Sequence, residues 1–168
     1  TPPAIQWQKT FGGSTAAHWD IATSIKQTSD NGFIVAGYSN SNNGDLTVNH
    51  GDYDYWVVKL APDTGTSTPP AIQWQKSLGG TGDDRAYSIQ QTSDGGYIVA
   101  GESISNDGDV TGHIGSYDYW VVKLSPTTGT TPPTIQWQKI LGGTGDDRAY
   151  SIQQTSDGGY VVAGHSRS

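Results

Sequence analysis

The chain has 168 residues, enough for one domain with a sizeable core but few for two. Its nine basic and sixteen acidic residues give a formal net charge of -7, so its field repels nucleic-acid phosphates and anionic lipid headgroups. The absence of cysteine excludes disulfides, cysteine–zinc sites and thiol nucleophiles. No apolar run is long enough to span a membrane. We therefore expect neither a nucleic-acid partner nor a membrane span.

Internal repetition determines the organisation of the chain. Residues 68–101 and 131–164 align without gaps over 34 positions and differ at only three. A more diverged copy begins at Thr1, and the period of about 63–67 residues suits a four-stranded unit. We predict a single repeat domain, 1–168, made of repeat 1 (1–67), repeat 2 (68–130) and a partial repeat 3 (131–168).

Each repeat contains four segments typical of β-strands. In repeat 2, residues 86–91 alternate apolar and polar side chains, and residues 97–101 are rich in β-branched and aromatic side chains. The Ser-Asp-Gly-Gly sequence between them predicts a hairpin, because glycine tolerates the backbone angles of such turns. Residues 119–124 and 135–139 complete the set. By the same pattern, residues 5–9 are predicted to form a leading outer strand.

This order of strands and loops is that of a propeller blade. The motifs GG-x-x-DDRAYSI, DGGYIVAG, YDYWVVKL and IQWQK resemble the blade repeats of long secreted bacterial surface proteins, especially cargo of Bacteroidetes-type secretion. The resemblance covers essentially the whole chain and implies an all-β, propeller-like fold and an extracellular or cell-surface location. It implies little biochemistry. A β-solenoid is the alternative, because any stack of similar β units has this periodicity.

An incomplete ring is a further expectation. Fewer than three full units cannot close a ring of about four or more blades. Open blades expose strand edges, which natural sheet proteins usually cover. We therefore expect self-association into an oligomer, or membership of a longer repeat array.

Aromatic side chains fall into two groups. Tryptophans that recur in register are expected to fill the space between neighbouring blades, because each buries a large area; they are Trp7, Trp56, Trp74, Trp120 and Trp137. Trp19 differs, because it lies beside His18 in a segment with three additional residues that the other repeats lack. Trp19 and His18 are therefore candidate ligand-binding residues, for stacking on a sugar or contacting a protein.

Recurring lysines also occur near the ends of strands. We expect them to point to solvent and to protect sheet edges from pairing with other chains; they are Lys9, Lys59, Lys76, Lys123 and Lys139.

Two polar loops place carboxylates at short intervals around a glycine. Calcium binds six to eight flexible oxygen ligands, so such loops suit this cation. The candidate ligands are Asp45, Asp52, Asp54, Asp107, Asp109 and Asp118. The alternative is that these residues form Asx-turns that hold the loops together without a metal.

Adjacent acids occur as Asp83-Asp84 and Asp146-Asp147, each followed by an arginine. Because the pairs recur, we expect them to hydrogen-bond a loop into the next blade while the arginine forms an ion pair. The four histidines stand at unequal repeat positions without metal-ligand spacing. No nucleophile-elbow, Walker-loop or dinucleotide motif is present. No catalytic residue is therefore assigned.

The sequence favours a non-catalytic extracellular binding or scaffold module that presents repeated loops to a protein or surface partner. The alternative is a lectin-like, carbohydrate-binding propeller, assisted by calcium. An enzyme on this fold would need a non-repeated acid or metal cluster in a central channel, and the sequence offers none.

Overall fold

The computed structural model describes residues 2–14 and 16–167, which contain ten strands and no helix. The first sheet, blade 1, consists of β1 (Asp20–Gln27), β2 (Phe33–Ser39), β3 (Asp54–Leu60) and β4 (Ile72–Leu78). Blade 2 consists of β5 (Asp84–Gln91), β6 (Tyr97–Ser103), β7 (Asp118–Leu124) and β8 (Ile135–Leu141). The partial blade 3 consists of β9 (Asp147–Gln154) and β10 (Tyr160–Ser166).

All neighbouring strands pair antiparallel and in chain order, as in propeller blades and unlike a parallel solenoid. The all-β, blade-like prediction is therefore confirmed. Each four-stranded sheet runs from the middle of one sequence repeat into the start of the next, so the IQWQK motif that opens repeat 2 forms β4 of blade 1. Strands β1, β5 and β9 contact one another in succession and are the first strands of their blades.

The predicted strand at residues 5–9 is wrong. These residues form no strand, although their letters match those of β4. A strand needs hydrogen-bonding partners, and β4 has them because it pairs with β3. The segment is held by a side chain instead: Trp7 packs edge-on against Phe33 at 6.4 Å and donates its indole N–H to Asp63 at 3.1 Å.

Three of the five recurring tryptophans, Trp74, Trp120 and Trp137, pack between blades as predicted, whereas Trp56 and Trp7 pack against residues of repeat 1. Trp74 of blade 1 is buried and lies edge-on to Tyr97 of blade 2 at 5.5 Å. The rings of Trp120 in blade 2 and Tyr55 in blade 1 have their centroids 4.6 Å apart. The Tyr55 hydroxyl also donates a hydrogen bond to the Trp120 backbone carbonyl at 2.8 Å. Trp137 repeats the contact with partial blade 3 and is more exposed. Aromatic pairs therefore tie each blade to the next.

A β-bulge explains the glycine that ends each VAG motif. In the first strand of each blade, one residue has no partner in the register of the neighbouring strand. This extra residue is Thr23 beside Gly37, Tyr87 beside Gly101 and Tyr150 beside Gly164. The bulge brings the backbone of the first strand very close to this glycine. A Cβ added to the glycine would stand 1.8 Å from a backbone oxygen at Gly37, 1.9 Å at Gly101 and 2.0 Å at Gly164. Only glycine fits this approach.

The prediction for two of the lysines is wrong. Lys59 and Lys123 are buried, and their ammonium groups pair with Asp30 at 2.9 Å and Asp94 at 3.0 Å. Each also donates to the backbone carbonyl of the following residue. A hydrogen bond from Thr92, with further help from Lys123, lowers the pKa of Asp94 to about 2. The hairpin aspartate therefore supplies a counter-charge to the buried ammonium group, which has lost its contact with water. Lys9 and Lys139 are exposed and Lys76 is partly buried.

No long apolar helix that could cross a bilayer occurs in residues 2–14 and 16–167.

Candidate functional site

The odd-numbered strands all begin at one end of the blades, which we call the loop end. The opposite end carries the tight Asp-Gly hairpins and the Pro-rich links. Almost every residue singled out from the sequence as a candidate lies at the loop end, on the segments 11–19, 40–53 and 104–117. The loop end is therefore the surface on which a binding site could be built.

Two neighbouring loops of repeat 1 form a polar cavity at the loop end. This first-repeat hollow has a volume of about 390 Å³ and is lined by His18, Asn40, Asn42, Asn49, His50, Gly51 and Asp52. The backbone holds the two loops together: Trp19 N donates to Asn40 Oδ1 at 2.7 Å, and Asn40 N donates to the Trp19 carbonyl at 3.3 Å. The hollow therefore combines amide, imidazole and carboxylate groups that can bind hydroxyls.

The exposed tryptophan borders a second cavity on the other side of His18. This Trp19 recess is also about 390 Å³ and includes Phe11, Asp20 and Asp45 in its lining. The Trp19 side chain is 64% exposed. The two candidate ligand residues thus lie where two polar cavities meet. Thr15, in the same segment, lies outside the described residues.

Repeat 2 is less polar at the positions equivalent to the lining of the hollow. In the sequence alignment, Asn40 and His50 correspond to Ile104 and Ile114, which are 37% and 60% exposed. Asp52 corresponds to Ser116. The loop end is thus polar in repeat 1 and partly apolar in repeat 2, although the strands beneath are closely similar.

The six candidate calcium ligands do not come together. Asp45 Oδ2 accepts from Gly12 N at 3.1 Å, Asp109 Oδ2 accepts from Gly79 N at 3.4 Å, and Asp107 accepts from the backbone and hydroxyl of Thr81. Within the described part of the chain, no group of three or more acidic or histidine side chains is placed to hold a metal ion. These contacts agree with the alternative that the aspartates hold the loops together. Calcium binding stays a prediction.

Of the remaining three candidates, Asp52 is exposed in the first-repeat hollow, and Asp54 and Asp118 are buried and paired with histidines. His50 Nδ1 lies 2.9 Å from Asp54 Oδ2, and His113 Nδ1 lies 2.9 Å from Asp118 Oδ2. Burial raises the pKa of Asp54 above its usual value, against the hydrogen bonds and charge of His50. The histidines stand four and five residues before their aspartates, so unequal spacing in the sequence concealed a shared role.

The adjacent acids contact the preceding blade, and the prediction that they reach the next blade is wrong. Asp83 Oδ1 accepts from Tyr53 N of blade 1 at 3.4 Å, and Asp84 N donates to the Tyr53 carbonyl at 2.5 Å. The predicted ion pair is confirmed, since Arg85 lies 2.6 Å from Asp83. The loop before blade 2 therefore attaches this blade to blade 1.

An arginine–tyrosine cluster joins the three blades near their first strands. Glu102 of β6 is fully buried and lies 3.3 Å from Arg85 and 3.1 Å from Arg148. Tyr87 donates its hydroxyl to Glu102 at 2.9 Å. Burial and the Glu102 charge raise the pKa of Tyr87 well above its usual value. Rings of three further tyrosines flank the Arg85 guanidinium at 5.0 to 5.8 Å: Tyr38, Tyr53 and Tyr117. This arrangement is a structural tie between blades.

Sequence reasoning missed the asparagines of the hollow and the role of Glu102. The asparagines read as ordinary loop residues, and only their position next to His18 makes them candidates. Glu102 is the only glutamate in the chain, a signal that could have drawn attention to it.

Comparison with known proteins adds no family: no protein-family model matches the chain, and no curated protein matches it.

Proposed function

We propose that this chain is a non-catalytic binding module that works at the cell surface or outside the cell. Its loop end would contact the partner. One observation carries this proposal: the places where repeat 1 departs from repeat 2 converge on two adjacent polar cavities that share His18. Two copies with similar strands and different loops are what a scaffold with a specialised binding face requires.

The chemistry of the first-repeat hollow favours a carbohydrate as the partner. Sugars are bound by an aromatic ring under the apolar face and by amide and carboxylate groups at the hydroxyls. Trp19, Asn42 and Asp52 are exposed side chains of these kinds in the first-repeat hollow and the Trp19 recess. A volume of about 390 Å³ lies in the range of small-ligand sites.

A protein partner is the second candidate, because repeat 2 offers a different surface. Its exposed Ile104 and Ile114 are apolar groups at the loop end, which suit a protein contact better than a sugar. Repeated loops would also allow multivalent binding to such a partner.

The groove along the first strands is lined mainly by neutral polar side chains. It has a volume of about 530 Å³, and its lining consists of one lysine, serines, glutamines and one isoleucine. None of these lining side chains is a carboxylate or an imidazole, the groups that most often act in acid–base catalysis.

Trp19→Ala tests the carbohydrate proposal. We expect the wild-type chain to bind members of a glycan array and Trp19→Ala to bind them about two- to tenfold more weakly, because an aromatic contact contributes roughly 0.5–1.5 kcal/mol. Ile114→Ser, also at the loop end, is the matched control and should leave glycan affinity unchanged. Repeating the array with calcium and with a chelator tests the predicted calcium assistance. A wild-type chain that binds no glycan would favour the protein partner.

Self-association remains a proposal that light scattering can test. We expect a discrete oligomer on size-exclusion chromatography, because open blades expose apolar side chains such as Val161 and Leu141. A monomer at all accessible concentrations would contradict it.

A further inference from the structure

A tyrosine of blade 1 is seated over a glycine of blade 2 at the first junction. Tyr55 of β3 is fully buried, its ring centroid lies 4.6 Å from that of Trp120, and its hydroxyl donates to the Trp120 carbonyl at 2.8 Å. Trp120 pairs in register with Gly101, and a Cβ added to Gly101 would stand 2.7 Å from the Tyr55 hydroxyl. The bare glycine and the tryptophan beside it therefore form a seat for the tyrosine ring.

The second junction repeats this seat. Tyr119 of β7 has the position of Tyr55, and a Cβ added to Gly164 of blade 3 would again stand 2.7 Å from the tyrosine hydroxyl. Tyr119 and Val162 of blade 3 pack against the same cluster of buried side chains. At both junctions, a tyrosine of the third strand of one blade is thus placed over the VAG glycine of the following blade.

The outer face of blade 1 has the same glycine and tryptophan without a tyrosine. Gly37 pairs in register with Trp56, as Gly101 does with Trp120. The three atoms nearest to a Cβ added at Gly37 all belong to the backbone of β1, the closest at 1.8 Å and the farthest at 2.9 Å. Among the described residues, no tyrosine hydroxyl therefore stands at the distance of 2.7 Å seen at the other two glycines.

A cavity of about 190 Å³ lies where the tyrosine ring would be. Gly37, Trp56, Val35 and Val58 form its floor, and we call it the Gly37 socket. The counterparts of these two valines in blade 2 are buried in one cluster with Tyr55. The side chains that accompany a tyrosine at the first junction therefore have their equivalents around a cavity in blade 1.

The opposite wall of the Gly37 socket has the position of the fourth strand of a preceding blade. Trp7 lies edge-on to Phe33 of blade 1, which is the contact that Trp74 of β4 makes with blade 2. The two glycines that follow repeat the hydrogen bonds of the two glycines after β4. Phe11 of the same segment lines the socket. The socket thus lies between a fourth-strand position and blade 1, where a third strand would present its tyrosine.

We propose that the Gly37 socket binds the third-strand tyrosine of a further, complete blade of this repeat type. The ring packs on Trp56 and its hydroxyl donates to the Trp56 carbonyl, as Tyr55 does at the first junction. A second copy of this chain does not supply the ring, because its third-strand tyrosines, Tyr55 and Tyr119, are already seated within its own blades. The partner is therefore another blade that carries the Asp-Tyr-Trp motif, and this proposal does not depend on what the loop end binds.

An NMR titration with p-cresol, the side-chain analogue of tyrosine, tests the chemistry of the Gly37 socket. We expect shifts of the Gly37 amide and the Trp56 indole N–H, with a Kd on the order of a millimolar. Toluene lacks the hydroxyl and should bind about two- to tenfold more weakly. Val35→Phe fills the socket and should abolish these shifts. Val161→Phe adds the same ring at an exposed position of blade 3 and is the matched control, with unchanged shifts.

A peptide that copies residues 116–125 tests the strand that carries the tyrosine. It should shift the amides of residues 5–9 together with that of Gly37, because the third strand pairs with the fourth in the complete blades. The same peptide with Tyr119→Ala should bind at least tenfold more weakly. A peptide that binds equally well without its tyrosine would overturn the proposal.

An absence of p-cresol shifts at Gly37, or equal shifts in Val35→Phe, would also overturn it. If Val35→Phe does not fold, nuclear Overhauser effects between the p-cresol ring and the methyl groups of Val35 and Val58 in the wild type give an independent answer, and their absence contradicts the proposal. Light scattering tests the other occupant. A wild-type oligomer that Val35→Phe dissociates would place a second copy of this chain on the socket and overturn its assignment to a further blade.

Discussion

Replacing Gly101 by alanine is expected to lower the free energy of unfolding by about 4 kcal/mol or more, the range of exceptional single substitutions. The added methyl group would stand 1.9 Å from the Arg85 carbonyl oxygen, 2.7 Å from the Tyr55 hydroxyl and 2.8 Å from the Ala86 Cα. Two of these three atoms belong to the backbone of β5, so the strand pair has to separate at its bulge. Urea unfolding followed by tryptophan fluorescence measures the loss.

Gly129→Ala is the matched control for this substitution. Gly129 has a positive φ of 71° but nothing lies within 4 Å of an added Cβ. Its replacement should therefore cost only the backbone strain of a left-handed residue, about 1–2 kcal/mol. A Gly101→Ala protein as stable as Gly129→Ala would contradict the close approach of β5 and β6 at the bulge.

Glu102→Ala is the second substitution with a large expected effect, a loss of about 3 kcal/mol in the free energy of unfolding. Removing this buried carboxylate leaves Arg85 and Arg148 without their shared counter-charge and the Tyr87 hydroxyl without its acceptor. The arginine side chains are 23% and 32% exposed, so water compensates part of the loss and the low end of the range for buried ion pairs applies.

Glu102→Gln separates charge from hydrogen bonding. The glutamine oxygen can still accept from Tyr87, so this variant should lose less stability than Glu102→Ala. Since Arg148 belongs to blade 3 and Glu102 to blade 2, proteolysis of the β9–β10 segment should also accelerate in Glu102→Ala. Unchanged stability and unchanged proteolysis would show that the cluster does not tie the blades together.

The local sequence by itself determined the strand segments and their order. Alternating or β-branched runs bounded by Asp-Gly turns predicted the strands now observed as β5, β6, β7 and β8, with bounds extended by at most two residues at either end. This succeeded because strand preference and turn geometry depend on neighbouring residues, and because repetition exposed the unit. The recurrence of tryptophan likewise predicted the packing of Trp74, Trp120 and Trp137 between blades.

Contacts between distant segments decided the rest. Residues 5–9 match β4 in sequence but form no strand, because the partner that β4 finds in β3 is not beside them. Lys123 reads as a solvent-facing residue, yet the hairpin aspartate Asp94, 29 residues away, supplies a counter-charge for its burial. Strand and turn patterns alone do not specify which side chains of distant segments a fold places opposite one another.

The candidate site shows the same division. The sequence identified Trp19 and His18 by their insertion, but only the tertiary structure places His18 beside Asn42 and His50 from another loop. Local propensity determines strands and turns, whereas cavities and charge pairs arise from the packing of blades, because they need side chains that meet only after the sheets have stacked.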